Sequence, residues 1–285
     1  VPVYYVIQFF FHGIKKGSLN TRASAIAFNF LLAMAPGTIF LLTILPYVPI
    51  NNFQDNFLVL LKEIMPLDAY QIIEITVNEL FVKRGRLQFF GFVTAVFFSI
   101  KGVSSIINAF NATFHDVKSR PFIQVKLISL GLVLIFSFLL FTSMFFLLFS
   151  RLTIDLMVSY GVIQKKFTLA LLTSGKWLII GLLVFSAISF LYYLAPRRNL
   201  QWKFISPGST LATILTIIST ILFSYFMNNF AELNRIFGSI GALIVLMLWL
   251  NFIALALLIG FELNASIKNA RENNFEPITS LDVDE

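Results

Sequence analysis

Cysteine is absent from the chain, which excludes disulfides, thiolate metal sites and thiol nucleophiles and leaves the redox compartment open. Histidine is nearly absent. His12 and His115 lie far apart, and no HxHxD-like spacing offers the ligand cluster of a metal-dependent hydrolase. No GxxxxGK[ST] loop occurs, so nothing predicts a nucleotide-driven pump. Charge is scarce, 12% of residues against roughly 25% in a soluble domain. Alternating segments of about ten residues, the mark of a membrane β-barrel, are missing as well.

What is present is apolar: 58% hydrophobic residues, 34 of them Phe, and a mean hydropathy of +0.86. Several runs reach about 20 residues, enough to cross a hydrocarbon core of about 30 Å. The class predicted is all-α, a polytopic membrane helical bundle of about six transmembrane helices with amphipathic interfacial helices, forming a single membrane domain over 1–285. A net charge of +7 in such a chain reports topology and anionic lipid before nucleic acid. Membrane lipids are therefore the expected partners, and nucleic acid is not.

In chain order, Val3, Val6, Ile7, Phe10, Phe11 and Ile14 share a face ahead of Lys15 and Lys16, predicting an interfacial helix within residues 1–22. The six spans fall at Ala23–Val48, Gly91–His115, Leu127–Phe149, Gly175–Leu194, Gly208–Met227 and Gly238–Ala265. Pro36 lies inside the first. Residues 51–86 carry two amphipathic patterns, expected as extracytoplasmic helices capping the bundle, and 266–285 is expected as a polar cytoplasmic tail. An even number of spans puts both termini on one side. The basic residues of the short loops place that side in the cytoplasm.

The second span holds the most informative pattern. At 100° per residue Lys101, Ser104, Ser105, Asn108, Asn111 and His115 form a polar stripe, while Gly91, Ala95 and Ser99 give the small-residue spacing of a close helix contact. A charge at the bilayer centre costs about 2.5–3.5 kcal/mol, so an intramembrane lysine is a functional candidate unless it snorkels to the headgroups. At about 1.5 Å per residue, Asn29, Asn108 and Glu262 are expected to share one polar layer. Asn251 is level with Lys101, which is expected to face the bundle interior or a cavity without a carboxylate partner. Trp249 is expected between helices. Trp202 is expected at the headgroups beside Arg197, Arg198 and Lys203, three residues that could hold an anionic lipid head.

A family resemblance rests on Arg22-Ala23-Ser24-Ala25 with Ala27-Phe28 and Pro36, and on Ser99, Lys101, Gly102, Asn108 and Arg120-Pro121-Phe122. Pro207-Gly208, Phe223-Ser224-Tyr225, FGSIGALIVLMLWL from Phe237 to Leu250, and Gly260, Glu262, Leu263 and Asn264 complete it. Together they resemble the YihY/BrkB family of bacterial membrane proteins. Phe237 and Asn251 stand where that family usually has tyrosine, and Phe261 where it has alanine. The resemblance implies an integral cytoplasmic-membrane protein of about six spans. Members have been labelled virulence or serum-resistance factors, transporters linked to envelope lipid and, under an old name, a tRNA-processing ribonuclease.

The residues argue against a ribonuclease, since they supply no acid–base pair over an RNA groove and no metal cluster. No catalytic residue, metal site or cofactor is expected. Two function classes remain. One is a transporter or flippase-like protein for an amphipathic anionic substrate, lipid or lipid-linked, with Lys101, Ser104, Ser105, Asn108, Asn111, Asn29, Asn251 and Glu262 as candidates along its path. The other is a scaffold or assembly factor for envelope biogenesis, in which the same polar groups only join helices.

Overall fold

A computed structural model describes residues 3–44, 58, 74, 85–113, 120–159, 165–196, 204–229 and 231–272. Among these the regular structure is entirely helical. The helices are α1 (Val3–Lys16), α2 (Leu19–Ile44), α3 (Gly85–Asn111), α4 (Phe122–Ser159), α5 (Lys165–Leu194), α6 (Pro207–Asn229) and α7 (Ala231–Glu272). Four contain stretches long and apolar enough to cross a membrane: Phe89–Asn111 in α3, Phe122–Ser143 in α4, Pro207–Phe226 in α6 and Leu243–Arg271 in α7. The apolar stretch Leu178–Leu194 of α5 is shorter. The expected count of about six is thus not reached among the described residues. The expected helices of 51–86 lie outside them, apart from Leu58, Glu74 and the start of α3.

Two boundaries differ from the sequence expectation. First, α3 ends at Asn111 rather than His115, which lies outside the described residues. Its last turn tightens, Thr113 N donating to Phe110 O at 3.2 Å, and Arg22 takes up the Ala109 carbonyl there. Second, the tail expected from 266 begins later, because α7 continues to Glu272. Ala265, Ser266 and Ala270 are buried on it, and burial of that face favours continued helix. Helix α1 packs against α7. Its exposed side is Tyr4, Ile7 and Phe11.

The chain forms two compact units, Val1–Ala27 with Val103–Glu285, and Phe28–Gly102. In the first, α7 packs against α6 and α1, and α5 against α4 and α6. Ile106, Ile107, Phe110, Leu132, Tyr192, Leu258 and Phe261 fill its core. Helix α4 buries Val125, Ser129 and Leu132 at i, i+4 and i+7 and exposes Leu127, Leu134, Phe138 and Phe141, the pattern of a lipid-facing helix with one narrow contact seam. In the second unit Gly91 and Ala95 are buried while Phe89, Phe90, Phe92 and Phe97 are exposed, as the small-residue spacing predicts. Gly102 lies against α2, where a Cβ would sit 3.5 Å from the Phe30 ring and 3.8 Å from Asn29 O.

Candidate functional site

The charged centre of the first unit is built from four segments. Arg22, in the first turn of α2, donates through Nη1 to Ala109 O at 2.9 Å and to Thr113 Oγ1 at 3.0 Å, and through Nη2 to Gly17 O. One guanidinium therefore ties the α1–α2 junction to the C-terminal end of α3, where free carbonyls and the helix dipole favour a cation. The Thr113 hydroxyl, accepting from Arg22, in turn hydrogen-bonds the Glu262 carboxylate, and Arg22 and Glu262 interact electrostatically. Glu262 is only 6% exposed, and its Oε2 has no hydrogen-bond partner among the described residues. The α1 backbone closes the centre from above. A Cβ at Gly13 would overlap Glu262 Oε1 and lie 2.7 Å from Cδ, so a side chain there would displace the Glu262 carboxylate.

Two residues further along α7, Asn264 serves a different arrangement. Ser206 caps α6: Ser209 N donates to Ser206 Oγ at 3.1 Å, and Ser206 N donates to Ser209 Oγ at 3.1 Å, a reciprocal cap with Pro207 at the first helical position. Asn264 Oδ1 accepts from Gly208 N at 2.8 Å and Nδ2 donates to Ser206 Oγ at 2.8 Å. Asn264 thus supplies the partner that the Gly208 N–H, the first of α6 because Pro207 has none, would otherwise lack. The helices touch backbone to backbone beside it, since a Cβ at Gly260 would lie 2.5 Å from Gly208 O and 2.6 Å from both Ala212 Cβ and Tyr192 Oη. Tyr192 donates to Leu257 O at 2.6 Å, and its ring meets the stacked pair Phe110–Phe261, whose centroids are 4.0 Å apart.

The candidates read from the sequence separate accordingly. In the first unit Glu262 and Ser104 are buried, Ser105, Asn111 and Asn251 half-buried, and Asn108 exposed. Ser104 lies 2.9 Å from Ser129 Oγ and accepts from Lys126 Nζ at 3.3 Å, while Asn251 Nδ2 donates to Ser24 Oγ at 2.9 Å. In the second unit Asn29 is half-buried, and Lys101, expected to face the interior or a cavity, is exposed. Of the three residues expected in one polar layer, Asn29 is half-buried, Asn108 exposed and Glu262 buried. Val103, Ile106, Ile107 and Phe110 set the buried face of α3, and Asn108 points away from it. Arg197, Arg198 and Lys203, together with Trp202, lie outside the described residues. Trp249 stacks on Phe223 at 5.2 Å, packed between α7 and α6 as expected.

Sequence reasoning missed Arg22, Gly13 and Thr113 as site residues, and Lys126 and Ser129 as partners of Ser104. In the sequence Arg22 stands out only as part of the family resemblance. The cap was legible in Ser206-Pro207-Gly208-Ser209, since serine before a helix-starting proline marks an N-terminus.

Long apolar helices joined by buried polar contacts define a polytopic helical membrane protein. The chain belongs to the BrkB family: the sequence model described as Virulence factor BrkB matches residues 10–280. It is similar to the Putative ribonuclease-like protein YfkH of Bacillus subtilis, 30% identical over 89% of this chain and 91% of that one. It is also similar to the UPF0761 membrane protein IL2447 of Idiomarina loihiensis, 22% identical over 95% and 93%, and to the UPF0761 membrane protein PBPRA3489 of Photobacterium profundum, 25% identical over 95% and 84%. No solved structure matches.

Proposed function

We propose that this protein resides in the bacterial cytoplasmic membrane with both termini inside, and that it moves an amphipathic anionic molecule of the cell envelope, lipid or lipid-linked, across the bilayer. The observation that carries the reading is the contrast between two buried polar groups on one helix. Asn264 has both amide atoms paired, as a group that only joins helices should. Glu262, a charge within the apolar stretch Leu243–Arg271, keeps one carboxylate oxygen without a partner among the described residues. Ionisable groups left in that condition inside a membrane mark ion and substrate pathways. Lys101, exposed within the apolar stretch Phe89–Asn111, supplies a cation for an anionic headgroup.

The scaffold alternative draws on Asn251–Ser24, Ser104–Ser129 and the Asn264 cap, all of which join helices. Catalysis is no part of this reading. Among the described residues no group of three or more His, Cys, Asp or Glu could hold a metal ion for a nuclease.

Reconstitution separates the two classes. In vesicles carrying a fluorescent phosphatidylglycerol, the wild-type protein should speed transfer between leaflets and the Lys101→Met protein should lose most of that acceleration, Lys101→Arg keeping part. A wild-type protein that moves neither this probe nor a fluorescent lipid-linked phosphate faster than empty vesicles sinks the transport reading and leaves the scaffold.

A further inference from the structure

We infer that Glu262 is a proton-binding site whose occupancy is read by Arg22 and passed to α1. This deepens the transport reading and rests on it for what the proton would drive, though not for whether the proton binds.

The geometry selects the ligand. Glu262 is held by the Thr113 hydroxyl on one side, is covered by the Gly13 backbone, and has Oε2 unpartnered. Arg22 of α2 is its ionic neighbour among the described residues; α1 contributes backbone and the turn after α3 the Thr113 hydroxyl, neither of them charged. A metal ion would have to enter against the fixed positive charge of the guanidinium with one carboxylate for company. A proton needs only a lone pair, and Oε2 offers one.

Protonation forms an O–H bond on Oε2 with a proton taken from water, and the pair passes from neutral to a net single positive charge. The Arg22 guanidinium, half-buried, then lacks its counter-charge. Desolvation of an unpaired charge is expensive, so the guanidinium is driven toward water or an incoming anion. Its exits are costly to the fold in one particular way, because the same side chain holds Gly17 O, Ala109 O and Thr113 Oγ1. Letting go of Gly17 unties the α1–α2 junction. At that junction Ser18 already holds a left-handed backbone, with φ of 47°, which a non-glycine residue keeps only while its surroundings enforce it. Proton binding therefore loosens α1 from α7, and the freed guanidinium becomes available to an anionic headgroup.

The chain has no cysteine, so two introduced ones report without background. Spin labels at Phe11→Cys on the exposed side of α1 and Phe252→Cys on the exposed side of α7 read the α1–α7 separation in lipid vesicles. As pH falls from about 9 to about 4, a range that runs from the raised values of buried glutamates down to the ordinary one, the short-distance population should be lost. Glu262→Gln should show the loosened distribution at every pH, and Glu262→Asp should keep a transition with a displaced midpoint. A wild-type distribution that does not change over this range overturns the proposal. So does a Glu262→Gln protein whose transition coincides with wild type. Neither outcome depends on lipid transfer, so a protein that moves no lipid yet shows the transition retains the proton site and loses only the transport reading.

Discussion

Phe261 is wholly enclosed, its ring stacked on Phe110 and edge-on to Tyr192. Phe261→Ala should therefore leave a cavity and cost about 3–5 kcal/mol. The measurement is a denaturation midpoint for the purified protein in mild detergent, and a loss under about 1 kcal/mol would mean that the site collapses around the smaller side chain. Asn264 gives the polar counterpart. Asn264→Leu keeps the volume but strands Gly208 N–H and removes a partner of Ser206, so it should cost about 1–3 kcal/mol, the desolvation penalty of an unmade hydrogen bond. At this scale the sequence was partly legible. Glu262 and Ser104 were recognisable as polar groups inside apolar runs. Their partners were not, because Arg22 lies 240 positions before Glu262 in the numbering and only tertiary packing brings them together.

Elements were easier to read than contacts, for the reason that length and hydropathy act locally while packing does not. The span predicted at Gly208–Met227 nearly coincides with Pro207–Phe226, since a serine cap, proline and an unbroken apolar run leave little freedom. The end of α7 was misplaced because Ser266, Asn269 and Lys268 read as tail, whereas burial of Ala265, Ser266 and Ala270 carries the helix on. The stripe on α3 was misread in part. Periodicity grouped Ser104 with Asn108, yet the actual buried face runs through Val103, Ile107 and Phe110, which takes Ser104 in and leaves Asn108 out. The α6–α7 pair also sets a test of its own. Gly260→Ala places a methyl against Gly208 O, Ala212 Cβ and Tyr192 Oη, none of which can swing away while the helices stay in register. The cost expected is about 1–3 kcal/mol from overpacking. Gly131→Ala, in α4 with nothing within 4 Å of a new Cβ, should be close to neutral in the same unfolding experiment.

At the scale of the whole molecule, the contact of Gly13 with Glu262 constrains topology more tightly than any loop charge. It fixes the end of α1 beside the C-terminal part of α7, so Lys15 and Arg271 should lie on the same side of the membrane and the number of crossings between them should be even. Both four spans and six satisfy that condition, and they differ in a way that labelling can read. If only α3, α4, α6 and α7 cross, the segments before α3 and between α4 and α5 share the side of the termini; if α2 and α5 cross as well, both segments lie opposite. Single cysteines at Asn52 and Gln164, in segments outside the described residues, should therefore react with a membrane-impermeant maleimide from the outside of intact cells, while cysteines at Lys15 and Arg271 should react only once the membrane is opened. That pattern establishes six crossings with both termini cytoplasmic. Protection of Asn52→Cys and Gln164→Cys together with the termini would establish four, and α2 and α5 would then lie within one leaflet. Labelling of Lys15→Cys and Arg271→Cys from opposite sides would break the α1–α7 contact itself, and with it the centre formed by Gly13, Arg22, Thr113 and Glu262.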